Sequence, residues 1–376
     1  MTHRHRDRRG FALALVILAL VIIGALLAGA FIAADQEYRM GRNTMTQQRA
    51  LTAAEFGQDS IYAGWNKAWN SIKSGSTFVT ALSPGDGSLD TVRVTKLNTL
   101  SFLVVSEGRS GGGSSGARRR TAMVMRLNVP VVKTYGALTS SGNVTIGGST
   151  QLLGHDSAFT GWNCPPTKDV PGVAVPSYSD LSFGGACKKM SCISGTPLVD
   201  TTSAAKDTST YFSYGGMTWT DLVAAADKTV SGTLTGIQPS YSGSACNTAD
   251  NNNWGDPNRN LVTPGACESY FPMIYAPGNL SINGNVGQGM LLVNGNLNIQ
   301  GNFSFYGEII TRGTIKLTGT GNHINGGVLA ANVVDSTSTS MLSGNSTIQY
   351  SSCTQSMALR STAMVTRPKR SWAELF

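Results

Sequence analysis

The chain has 376 residues, 29 Lys and Arg against 21 Asp and Glu, a formal net charge of +8, and only 13% charged residues beside 44 Gly. A chain this long allows two or three domains, and one so rich in Gly, Ser, Thr and Asn is not dominated by helix beyond its N-terminus. The positive balance does not imply nucleic acid: the first ten residues alone carry four Arg less Asp7, much of the rest sits in Arg118-Arg119-Arg120 and around Arg367, Lys369 and Arg370, and no basic stripe with interleaved aromatics occurs.

Residues 8 to 33 read "RRGFALALVILALVIIGALLAGAFIA", and no charge interrupts Phe11 to Ala34. Those 24 residues as helix reach about 36 Å, enough to cross a hydrocarbon core of about 30 Å. A secretory apolar region is shorter, about 7 to 15 residues, although Ala28-Gly29-Ala30 has the small-x-small form of a signal peptidase site. Arg4, Arg6, Arg8 and Arg9 hold the N-terminus in the cytoplasm, so everything after residue 34 is expected on the far side of the membrane. Residues 35 to 73 contain no Pro and continue with helix formers, so one long helix is expected over 11 to 73, interrupted at most by Gly41 and Gly57. Tyr38, Met45, Leu51, Ala54, Ile61, Trp65 and Trp69 form a stripe for packing against a globular part.

Between 74 and 133, "DTVRVTKLNTLSFLVVSEG" and "RRRTAMVMRLNVPVV" flank the flexible "RSGGGSSGA" and predict a small antiparallel sheet. Arg118 to Arg120 read as a solvated strand end. From 134 to 353 a six-residue repeat appears: Gly295, Gly301, Gly307, Gly313 and Gly319 open successive hexads, Gly278 and Gly284 begin the phase, and "GALTSS" with "GNVTIG" anticipates it. Leu297 and Ile299, Phe303 and Phe305, and Ile315 and Leu317 alternate with polar residues. One short strand per hexad and three hexads per coil predict a parallel β-helix with an apolar core. Residues 155 to 272 lack the period and hold five of the six cysteines, an irregular disulfide-rich insertion of the kind that carries binding surfaces. Residues 354 to 376 close the chain as a basic tail.

Cys164, Cys187, Cys192, Cys246, Cys267 and Cys353 fit an oxidising compartment and up to three disulfides of open connectivity. The rival is a metal site at the C-x4-C spacing of Cys187 and Cys192, which lacks a nearby His and a second short Cys pair. Asp250, Asn252, Asp256 and Asn258 have the alternating oxygen spacing of a Ca²⁺ loop, but position 261, where a closing Glu would stand, is Leu, so an Asx-rich turn is the plainer reading. The hexads from 278 to 334 contain one carboxylate, Glu308, so no acid pair can be assembled in them, and "HDS" at 155 to 157 is a chance set of triad letters. No enzyme and no cofactor is expected.

A short basic leader ending in Gly10, then Phe11 and a long apolar helix, resembles a type IV prepilin. Glu37-x-Arg39-Met40-x-x-Asn43, followed by "QRALTAAE" with Arg49 and Glu55, resembles the N-terminal domain of the PilX-type minor pilins over roughly residues 8 to 60. The final "RSWAELF" is similar to the ending of some relatives. The resemblance implies cleavage between Gly10 and Phe11 by a prepilin peptidase, methylation of Phe11, and assembly with other pilins and the pilus machinery. It implies residence in a bacterial inner membrane and then on the pilus or cell surface, with the C-terminal domain periplasmic or extracellular. Leu15 stands where major pilins carry Glu, which points away from a bulk fibre subunit. The expected function is therefore a minor pilin acting in pilus initiation, assembly and surface adhesion, with a surface or carbohydrate ligand. The alternative is a membrane-anchored β-helix enzyme or binding protein acting on polysaccharide without a pilus partner.

Overall fold

The computed structural model describes residues 11–111, 116–159, 162, 164, 167–258, 265–334 and 339–375, and shows a mostly β protein with a long N-terminal helix. The chain forms two compact units. The first comprises residues up to Trp65, Ser74–Met125 and Arg367–Phe376, and the second comprises Asn66–Lys73 and Arg126–Thr366. The second unit is thus inserted between strands of the first.

In the first unit, α1 runs Phe11–Ala63 without a break at Gly41 or Gly57. Its apolar part is exposed and is long and apolar enough to cross a membrane. Four strands follow in antiparallel order: β1 Thr77–Leu82, β2 Leu89–Lys96, β3 Ser101–Ser110 and β4 Ala117–Asn128. The last strand of the chain, Trp372–Leu375, pairs antiparallel with β4 at Arg120–Met123. Alternation places Val92, Val94, Phe102, Val104, Met123 and Met125 on the buried face. Against it α1 presents Ala50, Ala53 and Ala54, all buried, because only small side chains permit close approach. A β-carbon at Gly108 would stand 2.0 Å from the Ala50 carbonyl oxygen, and one at Gly57 would stand 1.5 Å from Asp90 Oδ2. Gly57, an expected interruption, is therefore the point where the helix passes over a buried aspartate. From the tail, Arg367 pairs with Asp59 at 2.7 Å and lies 3.9 Å over the Tyr62 ring.

The second unit is a large parallel sheet curled on itself. Its first coil holds β5 Leu138–Ser140, β6 Val144–Ile146 and β7 Gln151–Leu153. The segment read as an irregular insertion adds to the same sheet, with β8 Val173–Ala174 on β5, β9 Leu181–Phe183 on β6, β10 Ile193–Ser194 on β7, and β11 Val199–Asp200 on β8. The chain then crosses over through two short helices, α2 Ser209–Phe212 and α3 Trp219–Ala224. It restarts with β12 Lys228–Thr229 and β13 Gly232–Ile237, followed by a small hairpin of β14 Tyr241–Ser242 and β15 Ala245–Cys246. Then come β16 Met273–Ala276, β17 Leu280–Val293, β18 Leu297–Thr311, β19 Ile315–Thr318, β20 Thr320–Ala330, β21 Ser340–Leu342 and β22 Asn345–Tyr350. Neighbouring coils are offset by 17 residues at Leu280↔Leu297, 18 at Leu297↔Ile315 and 19 at Ser304↔His323, as three hexads demand.

The spatial order of the coils is a permutation of their order in sequence. Along one side, Lys228 pairs with Ile274, Met273–Ala276 with Met290–Val293, Leu291 with Ile309, Ile309 with Val328, Val328 with Leu138, Leu138 with Val173, and Val173 with Val199. The late coils therefore end against the first one, and the chain enters and leaves the sheet in the middle of the stack. Arg126–Asn128 at the entry pair antiparallel with β23, Met364–Thr366, at the exit. One corner shows the continuity: a β-carbon on Gly344 (φ +85) would lie 1.9 Å from the Gly319 carbonyl, and one on Gly148 (φ +63) would lie 2.4 Å from the Gly344 carbonyl. A left-handed residue without a side chain is needed at these levels of the column, on both sides of the sequence break.

The strands on that side read "MLLV", "EIIT" and "GVLA" without alternation because both of their faces are covered. Leu291, Val293, Ile309, Val328 and Ala330 face the core inside the coils. Met290, Leu292, Ile310, Leu329 and Ala331 face outward into a second cluster with Tyr211, Tyr214, Met217 and Leu222 of the crossover and Leu359 of α4, Ser352–Ser361. Residues 354 to 376, read as a basic tail, thus form most of α4, then β23 and the strand Trp372–Leu375. Residues 66 to 73 join this unit through Lys67 Nζ, which donates to Asp227 Oδ1 and to the Ala225 carbonyl, each at 2.7 Å.

Ile299, Phe303 and Ile315 are fully buried inside the coils, while Ser304 on the same run faces partly outward. Ile299→Ala is expected to cost about 2 to 5 kcal/mol and Ser304→Ala less than about 0.5 kcal/mol in chemical unfolding of the full chain in detergent. Equal costs would contradict the inward assignment.

Candidate functional site

All six cysteines are paired: Cys164 with Cys353, Cys187 with Cys192, and Cys246 with Cys267. Each bridge braces a weak place in the curled sheet. Cys187–Cys192 closes the loop between β9 and β10 near one end of the stack, and Cys246–Cys267 ties the hairpin near the other. Cys164–Cys353 fastens the loop after β7 to α4, beside Trp162, Phe271 and Tyr306. The C-x4-C pair is thus a disulfide. Among the described residues no group of three or more His, Cys, Asp or Glu is placed to hold a metal ion.

The oxygen-rich run at 250 to 258 is bound to itself. Asp250 Oδ1 accepts from the Asn252 amide at 2.9 Å, and Asp256 Oδ1 accepts from the Asn258 amide at 3.1 Å. Asp256 Oδ2 accepts from the Tyr241 hydroxyl at 2.9 Å. The two amide bonds are Asx turns. Position 261 lies outside the described residues. The cation that this loop does hold is the chain's own: Lys228 Nζ, almost fully buried, donates to the carbonyls of Thr248 at 2.8 Å and Asp250 at 2.6 Å, over the Tyr270 ring. Burial pulls the Lys228 pKa down, and the charges of Asp250 and Asp227 oppose that shift. A lone Lys in a polar stretch gave no periodic signal by which to find it.

Glu308, the single carboxylate of the hexads, projects to the outer side of β18 beneath α4 and is completely buried. Its Oε2 accepts from Gln355 Nε2 at 2.7 Å, and its Oε1 has no partner among the described residues. Burial lifts its pKa to about 8 although the Gln355 bond works the other way. The carboxyl is neutral at ordinary pH and is closed off from any substrate. His155 and Asp156, the letters that resembled a triad, serve separate ends. His155 Nδ1 meets Asp169 Oδ2 at 2.7 Å, whereas Asp156 accepts from the Ser352 amide and hydroxyl at the start of α4.

The motif residues of α1 divide by direction. Arg39, Asn43 and Arg49 line one cleft of about 430 Å³ together with Arg42, Thr46 and Ser110. Glu55 faces a different groove, with Gln58, Asp59 and Arg367. Met40 is exposed and Glu37 is free of the first cleft. Gly10 lies outside the described residues, and Phe11 is the first residue of the helix. In the second unit, Lys133, Tyr135, Thr202, Asp207, Ser209 and Ser213 line a polar cleft of about 470 Å³ beside the crossover, in which Asp207 accepts from the Ser209 amide at 2.8 Å.

No protein-family model matches the sequence, and no curated protein is similar to it. Among solved structures, the competence-associated pilin ComZ from Thermus thermophilus matches at a TM-score of 0.22 and 13% identity, over 88% of this chain and 97% of that one. A superposition at that level carries no functional weight.

The folded pKa of Glu308 stands above its ordinary value of 4.5. The stability contributed by its protonated form is therefore complete below pH about 4.5 and is lost as pH rises through about 8, at up to about 1.4 kcal/mol per pH unit. Glu308→Gln, which keeps the shape and removes the charge, is expected to be the more stable protein at pH 8 and to lose its advantage near pH 4.5 in chemical unfolding. Parallel stability profiles for the two proteins would contradict the buried, neutral carboxyl.

Proposed function

We propose that this chain is a pilin-like subunit of a type IV pilus system, a structural and interaction protein rather than an enzyme, and within that class a minor pilin of the PilX type. The observation that carries the reading is the single helix Phe11–Ala63, whose apolar first half is exposed and whose second half packs by small residues on an antiparallel sheet. An unbroken helix of this kind lets one element serve first as a membrane anchor and then as the interior strut of a fibre. The basic leader, the Gly10-Phe11 junction and the Glu37, Arg39, Met40, Asn43 motif support the same reading. Its partners are the other pilins, the assembly platform and the prepilin peptidase. Its places are the inner membrane and then the surface, with the inserted sheet outside the membrane.

Against catalysis stand the burial of Glu308 and the engagement of Asp156, Asp250 and Asp256 in local hydrogen bonds. The hydroxyl-rich cleft beside the crossover suits a polyhydroxylated surface ligand, which is how the inserted unit would serve adhesion. Leu15 offers no carboxylate to a neighbouring subunit's amino terminus. A charged residue at bilayer depth costs about 2.5 to 3.5 kcal/mol and is kept only where a partner repays it. A subunit lacking that contact is weakly recruited to an existing shaft yet can begin one, so we place it at the tip or in the initiating complex.

Gly10→Val obstructs a peptidase site shaped for the smallest residue, and is expected to leave the leader attached and abolish surface display. Normal mobility and display of this variant would contradict the prepilin reading. Gold label directed at the inserted unit on sheared fibres is expected to be sparse or terminal, and label along whole shafts at major-subunit density would exclude the tip position.

A further inference from the structure

Resting on the reading that α1 spans a membrane, we infer that the arginine cleft at the start of its exposed half is a binding site for the headgroup of an acidic phospholipid. From Tyr38 to Ala54 the helix carries Arg39, Arg42 and Arg49 and no acidic residue. Arg39 reaches back to Asp35 at 2.9 Å on the exposed helix surface, and Arg42 lies over the Tyr38 ring at 6.0 Å. Among the described residues neither Arg42 nor Arg49 has a carboxylate within ion-pair distance; Asp86, the acid near Arg49, lines the adjoining groove and accepts from Ser88. The sheet closes the cleft on one side through the nearly buried Ser110. The result is a concave, cationic and hydroxyl-bearing surface of about 430 Å³.

Its height on the helix selects the ligand. Arg39 and Arg42 follow Ala34 by about 7 and 12 Å along the axis, and the polar layer on each side of the hydrocarbon core is about 5 to 8 Å thick. Helical side chains lean toward the N-terminus, and arginine stems lie along apolar surface while their heads stay in the polar layer. Both guanidinium groups therefore come level with lipid phosphates, where Arg forms paired hydrogen bonds to two phosphate oxygens. A headgroup that continues outward from its phosphate enters the part of the cleft lined by Asn43, Thr46 and Arg49. A choline or ethanolamine cation there would face Arg42 and Arg49, like against like, whereas a hydroxylated, uncharged headgroup such as glycerol finds donors and acceptors. The site accordingly takes a phosphatidylglycerol-type lipid and rejects zwitterionic ones.

The test uses the full chain in nonionic detergent, with lipid retention read by native mass spectrometry. Phosphatidylglycerol is expected to be retained about tenfold better than phosphatidylcholine, on the scale of one to two cations at an acidic surface. The double variant Arg39→Gln, Arg42→Gln is expected to lose that preference, and Arg39→Lys, Arg42→Lys to keep most of it. Both side chains are exposed, so circular dichroism should be unchanged. Equal retention of both lipids by the native chain, an undiminished preference in the Gln variant, or displacement of the lipid by millimolar inorganic phosphate would overturn the proposal. Flotation with pure phosphatidylcholine vesicles separates the premise: flotation upholds the membrane span whatever the lipid preference, and failure to float removes both.

Discussion

The register of the parallel ladder constrains everything in the inserted unit. A curled parallel sheet satisfies its backbone only through the coils above and below, so each coil needs two neighbours, and a chain that winds in one direction along an axis ends far from where it began. Here the chain begins in the middle of the stack, builds outward to Val199, crosses to the opposite end at Lys228, and winds back until β20, β21 and β22 close on β5, β6 and β7. Entry and exit thereby become neighbours at Asn128 and Met364, which is what an insertion between two strands of a host sheet requires. The crossover must then travel along the outside of the coils, and it needs an apolar surface to lie on. Met290, Leu292, Ile310 and Leu329 provide that surface, so the unalternating strands, the two short helices and the permuted order are one solution to one problem.

Much of this was legible in the residues. Hexads with alternating Leu297 and Ile299 or Phe303 and Phe305 specify short strands at coil spacing, because side-chain period and glycine phase are local properties. The long apolar helix was equally plain. The order of the coils was not, since Leu138 contacts Val328 and Val173 through backbone pairing that no local pattern encodes. The segment from 155 to 272 lacks the period yet supplies six strands to the curled sheet and two to a small hairpin, each of two to six residues, too short for periodicity to register. Gly57 looked like a helix breaker because its reason, Asp90, lies on another element. Cysteine pairing and the capture of Lys228 by the Asx-rich loop are likewise long-range facts. The ammonium of Lys228 meets backbone carbonyls at Thr248 and Asp250, not the spaced side-chain oxygens of the run, so that spacing held no information about it.

In the host unit, the same economy of small residues joins helix and sheet. Ala50, Ala53, Ala54 and Gly108 let two backbones touch, so the second half of α1 is held by shape, while its first half remains free for a membrane or for neighbouring helices. The arginine cleft marks the boundary between the two regimes, where packing against protein ends and the polar layer of a bilayer would begin. The buried Glu308 and the three disulfides belong to the bracing of the inserted unit.

The proposed pilin role requires that α1 remain with the mature protein and begin at Phe11. Intact-mass and N-terminal peptide analysis of the protein isolated from cells that possess a pilus system tests it directly. The account predicts an amino terminus at Phe11 carrying one methyl group. A chain that still begins at Met1 would leave a plain membrane anchor, and one that begins at Phe31 would make the apolar helix a discarded secretion signal; either result contradicts it.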